Sequence, residues 1–271
     1  MISVASLHVY PVKSCRGIER ARVRVTAAGF EHDREWMVVT PDGRFLTQRE
    51  EPRLALIETS IDETRLRLAA PGAAALEVPL ALEGAVTEVV VWRDHCVARD
   101  QGEAAASWLS TLLGRSLRLV RFDPAHRRAS DPTWTGDVPG YSRFSDGFAL
   151  LVISQASLAD LNGRLPSPLP MNRFRPNLVL DGLEPYGEDA IHELHAGRLA
   201  LRIVKPCTRC TITTTDQRTG MRDGEEPLRT LRGYRWNAKL RGVAFGQNAI
   251  VVDGAGAILG QGQKLAATAR A

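Results

Sequence analysis

At 271 residues, 44% of them hydrophobic and 24% charged, the chain has the balance of an ordinary soluble globular protein, long enough for one large domain or two small ones. Collagenous, disordered and disulfide-stapled classes do not fit that composition. The formal charge of +4 arises from 35 cations and 31 anions scattered along the chain, so nucleic acid is not the expected partner.

Only Lys13, Lys205, Lys239 and Lys264 among the cations are lysines. Compositional bias accounts for the arginine excess, although guanidinium forks also suit phosphates and carboxylates. Cys15, Cys96, Cys207 and Cys210 are too sparse for a disulfide framework and read as thiols in a reducing compartment. The first residues lack a basic segment followed by an apolar one, and the longest dense apolar run, Phe148 to Ile153, is far short of a membrane span. A cytoplasmic location with no membrane partner is expected.

In chain order, strands are expected at Val4 to Val12, Arg22 to Val25, Glu35 to Val39, Leu54 to Ile61, Arg65 to Leu68, Thr87 to Trp92 and Leu117 to Arg121. They continue at Phe148 to Ile153, Asn177 to Leu180, Arg198 to Ile203, Thr211 to Thr215 and Ala249 to Val252. Alternation such as Arg65-Leu66-Arg67-Leu68 puts apolar side chains on one face, and turn clusters such as Pro41-Asp42-Gly43 separate the strands. A helix is expected after an Asp100 cap, with Glu103 three residues on and Gly114 as its stop. A second runs from Ser154 to Leu161, and a weaker third from Pro227 to Tyr234. Asp123 to Ser145 has no periodicity and reads as a long ordered loop or a linker. Many short strands and few helices predict a mainly β (α+β) fold of two β-barrel-like domains, 1–120 and 121–271.

The sharpest local motif is Lys205-Pro206-Cys207-Thr208-Arg209-Cys210. A thioredoxin-like dithiol wants a helix after its first cysteine, and threonine-rich β sequence follows instead. A structural zinc site needs about four N or S ligands, and no second C-x-x-C completes one. His192 and His195 are spaced as H-x-x-H but alternate with Ile191 and Leu194, as β-edge histidines do. Two readings remain: a pair of ordinary cysteines, or one thiolate ligand for a soft metal whose other ligands come from a cofactor. Lys205 and Arg209 would favour the thiolate.

Other clusters sit at strand ends. Tyr10 to Gly17 presents Lys13, Ser14 and Arg16 in one turn suited to an anionic group. His32-Asp33-Arg34, Phe174-Arg175-Pro176-Asn177 and Ser145-Asp146-Gly147 are each compatible with plain turn chemistry. Asp94-His95-Cys96 has no accompanying nucleophile elbow and is set aside.

Together, YPVKSCRG at Tyr10, HDREW at His32, QREEPRLALI at Gln48, SDGFALLVISQASLADLN at Ser145, NRFRPNLVL at Asn172, CTRCTITTTDQRTG at Cys207 and FGQNAIV at Phe245 resemble the MOSC superfamily. Their order is similar to that of its subgroup of mitochondrial amidoxime-reducing components, in which an N-terminal MOSC β-barrel domain precedes a MOSC domain. The resemblance covers residues 2 to 265 and implies a molybdenum cofactor in a cleft between two barrel-like domains. It implies reduction of small N-hydroxylated compounds (hydroxylamines, amidoximes, N-hydroxylated bases) by transfer of the N–O oxygen to molybdenum.

Carried over by motif, the resemblance makes Cys210 the metal ligand. Lys13, Ser14, Arg34, Arg175, Asn177, Thr208 and Arg209 become cofactor-binding residues. Asp146 becomes a carboxylate beside the metal that orients substrate or relays a proton. Some bacterial relatives append a ferredoxin-like domain; no cysteines remain here for such a cluster, and no G-x-G-x-x-G unit is present. Electrons are therefore expected from a separate protein, a ferredoxin or flavoprotein reductase. The alternative is a cofactor carrier or sulfur-transfer protein that forms a persulfide. Pyridoxal phosphate, sometimes attached to the family, has no independent support, because none of the four lysines has a Schiff-base context.

Overall fold

The computed structural model describes residues 1–222 and 224–270. Its largest sheet has nine strands. Eight lie in the order Ala266–Ala269, Ile191–Ala196, Leu199–Thr208, Gly242–Asp253, Leu150–Ser154, Leu178–Asp181, Ser3–Val9 and Ile18–Arg20. Trp236–Asn237 pairs beside Gly242–Asp253. Pairing is antiparallel except between Leu150–Ser154 and Leu178–Asp181, which run parallel with Val152 opposite Leu178. Parallel neighbours need a crossover, and the helix Gln155–Arg164 lies between them in sequence. That helix starts where the Ser154 hydroxyl accepts from Ser157 N at 3.0 Å, as the serine cap predicts.

Among the described residues the N-terminal part builds two further sheets of its own, and Arg22–Thr26 and Gly29–Phe30 form a third with Ile258–Gly260. Of the first two, Trp36–Val39, Arg118–Phe122, Asp94–Asp100 and Val86–Val91 form one, and Glu58–Ile61, Arg65–Ala70 and Ala73–Pro79 the other. The helix Gly102–Leu113 packs Ala105, Leu109 and Leu113 against the core formed with Trp36, Leu66 and Leu119. Gly114 ends it in a left-handed conformation, φ 71°. Asp100 caps it one residue early, its Oδ1 accepting from Gly102 N at 2.7 Å.

The fold is mainly β with a few helices, as expected, but the sheets are open paths rather than closed barrels. The two edge strands of the large sheet have only three and four residues, which keeps the exposed ladder short. Pairing also crosses residue 120: Leu7 lies opposite Leu178, and Leu259 opposite Val23.

Two expected strands are not strands throughout. Pro52–Leu56 is a 3-10 turn, begun by Pro52 and by the Glu51 side chain accepting from Arg53 N; the strand starts at Glu58. Thr211–Thr214 is also 3-10, because the hydroxyls of Thr213 and Thr214 donate back to the carbonyls of Cys210 and Thr211 at 2.9 and 2.8 Å. The 123–145 segment is an ordered loop with its own short helix, Pro132–Thr135. Buried Arg128 braces it by donating to the Arg143 and Ser145 carbonyls.

Gly246 fixes the path of the twelve-residue strand Gly242–Asp253 behind the cleft described below. It has φ +79°, and a Cβ there would lie 2.6 Å from Ile153 Cγ1 and 2.9 Å from Val152 O. Gly246→Ala is therefore expected to cost about 2 kcal/mol or more, from left-handed strain plus overpacking. A fall of roughly 4–8 °C in Tm follows for a chain of this size; an unchanged Tm would contradict the crowding.

Candidate active-site cleft

The strand Ser3–Val9 delivers the chain into a turn whose backbone is pinned to the next sheet, Lys13 N donating to Trp36 O at 2.8 Å. This turn, the His32–Glu35 turn, the Phe174–Asn177 segment and the loop Thr208–Cys210 converge on one cleft of about 380 Å³. Lys13, Ser14, Arg34, Asp146, Arg175, Asn177, Thr208, Arg209 and Cys210 all line it. The candidate residues, separated by up to 197 positions in sequence, thus come together without exception.

Tyr10 is the hub of one wall. Its ring carries the guanidinium carbons of Arg34 and Arg175 at 4.2 and 4.3 Å from the centroid. Its hydroxyl donates to Pro176 O at 3.0 Å, and its N–H donates to Asp33 Oδ1. Burial pushes the phenol up to about 12, so it stays protonated. Arg34 Nη1 also donates to both Asp33 oxygens and to Asn177 Oδ1. Asn177 completes the stitch, accepting from Leu151 N and donating to His8 O. Its amide thus ties the strands Leu150–Ser154 and Ser3–Val9, which flank Leu178–Asp181, to Arg34, while its residue borders the cleft.

Charge in the cleft is lopsided. Lys13, Arg34, Arg49, Arg175, Lys205 and Arg209 face it, against Asp146 as the single carboxylate among the described lining residues. Arg175 is buried, its Nη2 has no hydrogen-bond partner, and burial draws its pKa down to about 10. Arg209 donates through Nη1 to Cys207 Sγ at 2.9 Å and through Nη2 to Phe174 O, leaving Nε buried without a partner. Buried donors without acceptors are costly. An anionic group with several oxygens would satisfy them.

On the opposite wall, Lys13 Nζ donates to Asp146 Oδ1 at 2.5 Å and to Phe144 O at 2.7 Å. Burial pulls the Lys13 pKa down, and Asp146 pulls it back up. For Asp146, burial opposes the charge, but Lys13 and Arg49 outweigh it and hold the carboxyl well below the usual range. The Asp146 side chain is 57% exposed to the open cleft, so water screens part of that pull.

Cys207 and Cys210 both line the cleft but have different neighbours. Cys207 packs against the core containing Phe174 and Phe245. Cys210 Sγ instead accepts from Arg49 Nη2 at 3.2 Å across the cleft. No group of three or more His, Cys, Asp or Glu among the described residues could hold a metal ion. A metal on Cys210 would draw its remaining ligands from a bound group.

Two further cleft residues carry no role in the sequence analysis: Arg49, which lies inside the QREEPRLALI motif, and Trp92, which lies outside every motif. Trp92 offers a sequence signal: a large aromatic at a hairpin tip, between strands ending at Val91 and beginning at Asp94. It is 49% exposed. Backbone strain gathers here too. Ser14, Arg34, Trp92 and Arg175 all have positive φ, four of the seven such non-glycine residues described. Strain of about 1–3 kcal/mol per residue persists where a functional site over-determines the backbone.

Residues 1–116 match the MOSC N-terminal beta barrel domain and residues 139–264 the MOSC domain. Mitochondrial amidoxime-reducing component 1 of Homo sapiens is 39% identical over 243 residues, covering 86% of this chain and 72% of that protein. The chain belongs to this family. Its resemblance to other amidoxime-reducing components extends to component 2 of Bos taurus, 35% identical over 242 residues, 86% of this chain and 72% of that one. A Bordetella bronchiseptica solution structure is 26% identical with a TM-score of 0.31, over 37% of this chain and 85% of that one. The relatives are mitochondrial by name; among the described residues of this family member, no helix is long and apolar enough to cross a membrane.

Because Arg175 is a buried cation short of partners, Arg175→Met is expected to raise the Tm of the ligand-free protein by about 2–4 °C, equivalent to roughly 1 kcal/mol. Inorganic phosphate should raise the wild-type Tm by mass action and leave the variant unmoved. A variant that is destabilised yet keeps the phosphate response would contradict this account of the cleft.

Proposed function

We propose that this chain is a molybdenum-cofactor-dependent oxidoreductase that reduces small N-hydroxylated compounds, and that the cofactor lies in the cleft between halves 1–120 and 121–271. The observation that carries this reading is Cys210, a cleft thiol beside buried cations with unsatisfied donors. A pterin phosphate suits Arg175 and Arg209, with Lys13, Ser14, Arg34 and Thr208 along the same walls. Asn177 acts by holding Arg34. Cys210 supplies the soft ligand. The names of relatives at 39% and 35% identity support the substrate class.

When bound through Cys210, the cofactor would supply two-electron oxygen-atom-transfer chemistry. Overall the N–O bond breaks, two electrons and two protons enter, and an amine or amidine leaves with water. The electrons come from a separate donor protein, a ferredoxin or flavoprotein reductase.

Asp146 is held ionised, so it accepts a hydrogen bond from the substrate's N–H or O–H and orients the N–O group. Lys13 keeps that carboxylate in place, and the open cleft admits protons from water. The Tyr10 stack holds Arg34 and Arg175 in place, where they would bind the cofactor's anionic group.

Protein purified from a molybdopterin-competent host should reduce an aromatic amidoxime when given a reducing partner, and not with NADH or NADPH alone. Cys210→Ser should remain folded and lose activity by more than about 100-fold, beyond the loss typical of residues that only support a metal ligand. Wild-type turnover by Cys210→Ser would refute the assignment, as would NADPH-driven turnover without another protein.

A further inference from the structure

Arg49 contacts both the cleft thiol and the cleft carboxylate. Its Nη2 lies 3.2 Å from Cys210 Sγ and 3.6 Å from Asp146 Oδ2. The guanidinium sits 4.8 Å over the Trp92 ring, and Trp92 Nε1 donates to Asp146 Oδ1 at 3.3 Å. Three separate chain segments are thereby tied together by one side chain and its aromatic backing.

The backbone that carries Arg49 is clamped. Arg222 Nη2 donates to the carbonyls of Gln48 and Arg49 at 2.5 Å each. Gln48 and Gln217, both buried, bond each other reciprocally at 3.1 and 2.9 Å, and Gln48 also donates to Ser14 O at 2.6 Å. A flexible surface arginine needs no such support. This one is held so that its fork reaches across the cleft.

We propose that Arg49 is a positioning residue that donates an N–H···S hydrogen bond to Cys210 and holds Asp146 beside it, thereby tuning the metal bound at that thiol. This rests on the cofactor reading above. A donor to a ligating sulfur withdraws electron density, and a nearby positive charge favours the reduced metal. Removing Arg49 makes the metal harder to reduce and frees Asp146 on one side.

The test compares wild type, Arg49→Gln and Arg49→Lys, all produced in a molybdopterin-competent host. Metal and pterin content, the midpoint potential of the Mo(V) electron paramagnetic resonance signal, and kcat and KM are measured. Arg49→Gln should load like wild type, show a more negative midpoint, and lose about 10–100-fold in kcat. Its KM should change less than about 3-fold, because Lys13 still holds the substrate-orienting Asp146 on its other side. Arg49→Lys, which keeps the charge, should recover part of both losses.

A loaded Arg49→Gln protein with wild-type midpoint and kcat would overturn the Arg49 assignment alone. Loss of metal or pterin from Arg49→Gln would make Arg49 a cofactor anchor instead of a positioning residue. Wild-type protein that takes up no molybdenum would overturn the reading of the cleft, and this assignment with it.

Discussion

Arg175 is buried, its backbone is held at φ 57°, and one of its N–H groups has no partner among the described residues. A desolvated cation left short of partners costs stability, on the order of the 1 kcal/mol that its removal is expected to return. Little else in the cleft lowers that cost: Arg34 stands beside it on the same tyrosine ring, and Arg209 brings a second unpaired donor. The Tyr10 face softens the charge without cancelling it. A chain that keeps this arrangement has a site whose energy balance is completed by an anion.

The fold pins several backbones at that point rather than extending long side chains toward it. The first strand crosses into the sheet built mainly from the C-terminal half, which sets Tyr10 and Lys13 beside Asn177 and Asp146. The buried Gln48–Gln217 pair joins the loop carrying Arg49 to the segment that follows the cysteine motif. Each functional side chain stands at a strand end or in a short turn fixed by backbone hydrogen bonds. Such placement gives precision with no α-helix among the described residues that line the cleft.

Much of this was legible in the sequence where local physics decides alone. Gly114 and Ser154 mark helix limits because left-handed φ and a hydroxyl cap have few substitutes, and Arg65 to Leu68 shows a half-buried strand by its alternation. The threonines after Cys210 misled for a physical reason: β-branched residues read as strand, yet their hydroxyls satisfied nearby carbonyls and closed a turn. The nine candidate cleft residues came from the family resemblance, since several of their motifs read alone as plain turns; the fold brings all nine to one cleft. Arg49 lies in the QREEPRLALI motif, yet its role was not legible there, since only its contacts show that it faces the cleft. The difference between Cys207 and Cys210 likewise needed the tertiary structure, because both thiols line the cleft and only their partners, Arg209 and the Phe174–Phe245 core for one and Arg49 for the other, tell them apart.

The most direct test of the account is metal and pterin analysis of the purified protein, with molybdenum, zinc, oxidised-pterin fluorescence and thiol mass read on one sample. The account predicts stoichiometric molybdenum and pterin, unmodified cysteines and no stoichiometric zinc. Protein from a competent host that carries zinc or a persulfide on Cys207 or Cys210, and no pterin, would contradict it.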